Sequence, residues 1–342
     1  MSKTRFTKPT LVFTRPWHWM DYGSDKLNLV YVPIGGPVPK RKNGRNAGDG
    51  VGEVATPEGL QQLREAFKKY KPELFLYWVH FRFGLEEMER LKNISPDTRF
   101  LCGYGNQPHT ISQHVKKFKK YIDTILLNSS DPRNYKKYLE FGIPHVGTLH
   151  DGFDPLEWVP IDQKRDYEVF FGGNQAIGNQ HLPRERWQWK YPISEFRYDL
   201  LCAVHEKFNL HVRGNKRLPF KVHSYLWYPD YSPVFQQAHI ILGCPHYDLV
   251  RYYSRRTIHG AGCGRLFITR YIPGMEDDFG SNHQNAVWFH TIEEALDQIK
   301  YYLDHPFERE KIAASCRELF VKNHSWEARL REMEKIAEDI LE

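Results

Sequence analysis

HIILGCPHYDLVRYYSRRTIHGAGCGRLFITRYIPGMEDDF, residues 239–279, has the pattern of one strand–helix–strand unit. An aliphatic run ending at Gly243 passes through a loop into a helix that starts near Ser254-Arg255-Arg256. Gly260, Ala261, Gly262 and Gly264 then permit close packing of that helix and a sharp exit into a strand over 265–268. Strand, helix and strand in this order form a βαβ crossover, the unit of a parallel sheet. Hydroxyl, backbone N–H and guanidinium groups at one helix N-terminus suit a diphosphate. Ser254, Arg255 and Arg256 are therefore candidate phosphate ligands, the alternative being that the two adjacent arginines are simply solvated.

Outward from this stretch the same alternation runs almost the length of the chain. Strands are expected at 168–171 and 209–212, and helices at 194–207 and 252–261. Thr291 with Glu294 three residues on forms a capping box for a helix over 292–303. Helices over 308–321 and after Ser325, with Leu330, Met333 and Ile340 on one side, finish the chain. On the other side, strands are expected at 10–14, 28–32, 73–79, 99–102, 121–127 and 145–149. Thr56-Pro57 opens a helix, two more cover 85–91 and 111–120, and Asp131-Pro132 caps another that Gly142 ends. The Gly-, Pro- and Lys/Arg-rich stretch 33–54 reads as a loop. HDGFDPLEWVP, residues 150–160, breaks the alternation and is read as a hinge between domains 1–155 and 156–342.

The 342 residues are 41% hydrophobic and 26% charged, normal for a globular protein of about two domains. The apolar runs fall short of the ~20 residues that cross a bilayer. Five cysteines, at 102, 202, 244, 263 and 316, show no C-x-x-C spacing and are odd in number. That argues against a disulfide framework or zinc ribbon and for a reducing, cytoplasmic location. Walker A, H-E-x-x-H, G-x-S-x-G and a G-x-G-x-x-G after the first strand are all missing, which counts against the corresponding enzyme classes. No D-x-D triplet offers a metal clamp, and the 17 histidines lack ligand-like spacing.

A second candidate site element is EVFFGGNQAIGN, residues 168–179, where Gly172-Gly173-Asn174 follows a strand directly. Glycines there let a phosphate approach the backbone, though strand exits also need glycine for conformation alone. Arg213, in HVRGN after another strand, is a further candidate.

The pattern Ser254-x-Arg256-x-x-His259-x-x-x-Cys263-Gly264, a strand, then Gly274-x-Glu276-x-x-Phe279, resembles the donor domain of GT-B glycosyltransferases. The likeness is to the family 1-like enzymes, and within them to the spore-maturation-protein (CgeB-like) branch. The tail 291–330, with its His-Ser-x-x-x-Arg run, and the GFDPLEWVP linker are similar to that family as well. The resemblance implies an α/β fold of two Rossmann-like, doubly wound domains facing a cleft, with a C-terminal helix. It implies a nucleotide-diphosphate sugar as co-substrate, by analogy a UDP-sugar, bound mainly by the C-terminal domain, with no required metal or other cofactor. Where relatives carry a Glu that grips the ribose, this chain has His259, which can hydrogen-bond but carries no fixed charge. The donor-binding set is then Gly172, Gly173, Asn174, Arg213, Ser254, Arg255, Arg256, His259 and Glu276.

Inverting transfer needs a base beside the acceptor hydroxyl. RPWHWMDYGSD after the first strand offers His18, Asp21 and Asp25 beside Trp17 and Trp19, which either stack on a ligand or plug the core. GYGNQPHTIS offers Asn106 and His109. Asp21 is the first choice and His109 the second. Net charge is +6 overall, but +8 over residues 1–155 and −2 over the rest. Lys/Arg clusters at 40–45, 68–71 and 116–120 are either solvated helix faces or a phosphate-binding surface, so a modified base in DNA is one acceptor class. Two other readings compete with a transferase. One is a non-catalytic GT-B-like module that binds a nucleotide sugar or an acidic polymer, and the other is a nucleotide-sugar epimerase.

Overall fold

The computed structural model describes residues 8–14, 19–36, 54–78, 84–104, 111–173, 192–214, 218–224, 226 and 231–342. They fall into two compact units. The first comprises Met1–Asn128, Pro132–Leu149 and Leu330–Glu342; the second comprises Ser129–Asp131 and His150–Arg329.

In the first unit, β1 (Thr10–Phe13), α1 (Trp19–Tyr22) and β2 (Asn28–Tyr31) are followed by two short strands, β3 (Gly35–Gly36) and β4 (Val54–Ala55). Then come α2 (Pro57–Tyr70), β5 (Leu74–Trp78), α3 (Leu85–Ile94), β6 (Arg99–Tyr104), α4 (Gln113–Phe118), β7 (Thr124–Leu127), α5 (Pro132–Glu140) and β8 (His145–Thr148). Six strands form a parallel sheet in the order β2-β1-β5-β6-β7-β8. Every residue of β5 is buried, as expected for a parallel strand covered on both faces. Phe67 of α2 sits edge-on to Phe75 at 5.2 Å and to Phe100 at 6.1 Å, joining helix to sheet. The Thr56 hydroxyl accepts from Gly59 N–H and Pro57 takes the first helical position, as read from the sequence. Glu334 accepts from the Ser24 hydroxyl, and Glu338 pairs with Lys26 at 2.7 Å, which anchors the terminal segment 330–342 within this unit.

The second unit contains β9 (Tyr167–Gly172), α6 (Ser194–Lys207), β10 (Leu210–Arg213), α7 (Tyr231–Gln236), β11 (Ala238–Gly243), α8 (Arg255–Gly262), β12 (Leu266–Arg270), α9 (Glu276–Phe279), β13 (Val287–Phe289), α10 (Ile292–Asp304) and α11 (Pro306–His324). The final helix, α12, spans Trp326–Leu341, its residues up to Arg329 belonging to this second unit and those from Leu330 to the first. Its sheet is parallel, in the order β10-β9-β11-β12-β13. Leu200, Leu201 and Val204 of α6 and Ala295 and Ile299 of α10 pack on one face of this sheet. Phe235 of α7, Ile258 and Ala261 of α8, and Cys316 and Phe320 of α11 cover the other. A Cβ on Gly260 would lie 2.9 Å from the Phe267 ring of β12, so only glycine allows α8 this approach.

Both sheets reverse direction of growth beside their first strand, between β1 and β5 and between β9 and β11. Ligands of open α/β sheets bind beyond the carboxyl ends of strands at such a switch point.

The elements depart from the sequence reading in a few places. The helix expected over 252–261 begins at Arg255, because Tyr252 and Tyr253 are buried as loop residues before the Ser254 cap. The helix expected over 111–120 is α4 plus a 3-10 turn at Lys119–Tyr121. Within the stretch read as a loop, β3 and β4 pair antiparallel. In the capping box, Glu294 accepts from His290 N–H while Thr291 accepts from Glu294 N–H.

Candidate functional site

At the switch point of the second sheet, β9 ends in Gly172, with Gly173 next in the chain, and β11 ends in Gly243. A Cβ on Gly173 would stand 2.9 Å from Arg256 Nε and 3.1 Å from its Cζ. The Arg256 side chain thus lies against bare backbone. Arg256 makes no hydrogen bond or ion pair with another described residue. The neighbouring Arg255 is different: its Nη2 meets the Asp151 carboxylate at 3.4 Å.

Within electrostatic reach of Arg256 is a pair that sequence reasoning missed. Arg197 of α6 is fully buried, and its guanidinium donates to the Cys244 carbonyl and, at 3.0 Å, to His246 Nε2. Its charge also sits 5.7 Å from the Phe171 ring. Burial, reinforced by Arg197 and then Arg256, holds His246 neutral, well below the usual imidazole range. Because a guanidinium only donates, His246 Nε2 accepts and the ring proton resides on Nδ1. The Arg197 and Arg256 charges lie near enough to repel each other, one bonded at Cys244 just past β11 and the other against Gly173 just past β9. The one available signal was an arginine on the buried stripe Arg197-Leu200-Leu201-Val204 of α6.

The other expected donor residues divide. Gly173 N–H donates to the Arg213 carbonyl at 2.8 Å, so the glycine turn offers space there and not that N–H. Arg213 Nη1 donates to Ser224 O at 3.2 Å. The Ser254 hydroxyl caps α8 by accepting from Thr257 N–H, leaving the Arg255 and Arg256 N–H groups without a described acceptor. Glu276 is exposed and accepts from the Tyr271 hydroxyl at 2.8 Å. His259 is 6% exposed, its ring 4.3 Å from that of Trp158, and it bonds to the Gly152 backbone. Burial drives its pKa down to about 3, and the structure gives it a packing role in the core of the second unit. Asn174 lies outside the described residues.

In the first unit, Asp21 is exposed on α1, and Asp25 is exposed ahead of β2. Trp19 is fully buried 5.5 Å from Phe13, which makes it a core plug and not a stacking platform. His109, His18, Trp17 and Asn106 lie outside the described residues, as do residues 40–45. The remaining lysine clusters sit at helix C-termini, where they oppose the helix dipole. Lys69, Lys120 and Lys119 each lie 4.6–4.8 Å from an aromatic ring centroid. No helix is long and apolar enough to cross a membrane, and no group of three or more His, Cys, Asp or Glu is placed to hold a metal, both among the described residues.

Several solved structures share the fold. A glycosyltransferase from Rickettsia africae superposes with a TM-score of 0.55 at 12% identity, covering 98% of this chain and all of that one. Sucrose-phosphate synthase from Thermosynechococcus elongatus gives 0.55 at 11%, covering 98% and 99%. Anabaena HepE, solved with UDP-glucose, gives 0.52 at 9%, covering 97% and 100%. The fold is GT-B. Within it, residues 197–335 match the model of a family described as glycosyl transferase-like. That match takes in Arg197, His246 and the whole of α8. No curated protein matches the sequence.

Proposed function

We propose that this GT-B chain is a glycosyltransferase moving a sugar from a nucleotide-diphosphate donor to a hydroxyl acceptor. The observation that carries the reading is Arg256, pressed against Gly173 at the sheet switch point with no described anionic partner. A diphosphate is the anion that such a site fits. Arg256 and the first N–H groups of α8 would neutralise the charge that develops on the leaving diphosphate, the task a metal performs in other transferases. Buried Arg197, whose charge reaches Arg256, adds positive potential. HepE, crystallised with UDP-glucose, makes a UDP-sugar the first donor to try.

For transfer with inversion, the acceptor oxygen bonds to the anomeric carbon as the sugar–phosphate bond breaks, and a base takes the hydroxyl proton. Asp21 is the candidate base and His109 the second. Arg213, Glu276 and Asn174 complete the proposed donor set. Assignment to the CgeB-like branch and a cytoplasmic location belong to the same proposal; all five cysteines are free thiols. The lysines of the first unit keep a modified base in DNA among the acceptor classes to be screened. The non-catalytic alternative is favoured by one observation: His259 is packed on Trp158 where relatives use a ribose-binding Glu.

Thermal shift against UDP, GDP, dTDP, ADP and CMP, with and without magnesium, tests the donor site. Saturation at 100 times Kd adds about 2.7 kcal/mol. Turnover of the matching sugar donor, lost by roughly 10²-fold in Arg256→Ala, is expected. Binding without turnover on any acceptor gives the function to the binding-module reading. Absence of any nucleotide response rejects the donor site.

A further inference from the structure

Residues 244–254 link β11 to α8, carry His246 and deliver the Ser254 cap. Whatever sets the path of this loop sets the phosphate-facing end of α8. Three residues before the cap, Arg251 adopts φ 51°, a left-handed conformation unfavourable for a residue with a Cβ. It is held there from several sides. Its N–H donates to Pro273 O at 2.8 Å, and its carbonyl accepts from His150 Nε2 at 2.9 Å. Its guanidinium grips Asp278 with two bonds of 2.6 Å, from Nε to Oδ2 and from Nη2 to Oδ1. Two residues later the buried Tyr253 donates its hydroxyl to Asp278 Oδ2, also at 2.6 Å.

The Asp278 carboxylate, 10% exposed, therefore receives three bonds from two residues within three positions of the cap of α8. Two of the three are charge-assisted and bidentate, the arrangement that fixes orientation as well as distance. A Cβ on Gly274 would stand 3.2 Å from Arg251 Cγ, so the aliphatic stem is also confined. The Tyr253 ring is walled by His150, Phe279 and His324 at 5.1, 5.7 and 6.4 Å.

We propose that Asp278 is the positioning residue of the phosphate site, acting through Arg251 and Tyr253 to hold Ser254 and Arg256 in register with Gly173. This rests on the donor reading above. Binding of UDP and of inorganic pyrophosphate is measured by calorimetry, well below the unfolding midpoint, for the wild type, Arg256→Ala, Asp278→Asn, Asp278→Glu and Tyr253→Phe. The wild type binds both, Arg256→Ala loses both, and Asp278→Asn weakens both by about tenfold or more, the scale of coupling within one bonded network. Asp278→Glu recovers part of the loss. Tyr253→Phe removes a single bond, weakens binding by a few-fold, and serves in place of Asp278→Asn should that variant fail to fold. Wild-type affinity in the folded Asp278 and Tyr253 variants, with or without a lowered midpoint, overturns the inference while Arg256→Ala still reports the donor site. Absence of binding by the wild type overturns the donor reading and this inference with it.

Discussion

Gly173→Ala separates binding from folding at the switch point. The backbone there is not in the left-handed region, so alanine meets no conformational strain. The new Cβ would stand 2.9 Å from Arg256 Nε and 3.1 Å from Cζ. Contact at van der Waals distance needs roughly 3.5 Å, so the guanidinium must retreat by roughly 0.6 Å. It can do so, because the obstacle is the far end of a flexible, half-buried side chain. The fold should thus lose less than about 1 kcal/mol. A charge-assisted hydrogen bond to phosphate is weakened by such a shift, and a full loss of one is worth about 1.5–3 kcal/mol. The expected result is pyrophosphate and UDP binding weakened by at least a few-fold and at most about 100-fold in calorimetry, with an unfolding midpoint near that of the wild type. Gly103→Ala is the opposite control. Its Cβ would fall 1.9 Å from the buried Trp78 ring, and it should destabilise the first unit by about 3 kcal/mol or more. Unchanged affinity in Gly173→Ala would refute the placement of phosphate against Arg256.

His259→Ala should open a cavity beside Trp158 and cost about 2–4 kcal/mol of stability in urea unfolding, while leaving pyrophosphate affinity as it was; a selective loss of nucleotide binding would contradict the packing role. Burial lowers His150 and His259 to about 3 and His211 to about 4. Each contributes stability that is complete above the unfolded value near 6.5 and is lost as pH falls towards its folded value. Roughly 2 kcal/mol per histidine should disappear between pH 7 and 5, so urea midpoints that stay flat over that interval would show these rings to be solvated. Arg197→Met keeps the volume of the stem but leaves His246 and the Cys244 carbonyl without their donor; it should weaken pyrophosphate binding by about tenfold and lower the midpoint, and unchanged affinity would remove Arg197 from the site.

Alternation of apolar runs with helical patterns was enough to place most strands and longer helices within a few residues, because both faces of a parallel strand are buried and its composition says so. Caps such as Thr56, Ser254 and Thr291 were legible because their chemistry is local. What escaped was set by tertiary contact. The pairing of Arg197 with His246 spans 49 residues, and each looks ordinary in its own segment. The fate of individual donors escaped too: Ser254 spends its hydroxyl on its own helix and Gly173 its N–H on Arg213, choices that depend on neighbours no motif contains. Short elements such as α1, α7 and β13 carry too few residues to show a period.

The anchoring of residues 330–342 within the first unit has a consequence for synthesis. Ser24 meets Glu334 across 310 residues of intervening chain. At about 5–20 residues per second, roughly 15–60 s separate the emergence of the two from the ribosome. The second unit's residues are all synthesised before residues 330–342 can join the first unit, so of the two units the one begun earlier is completed later. A translational pause or a stop codon just ahead of residue 330 should therefore leave its mark on the sheet of the first unit, some three hundred codons upstream.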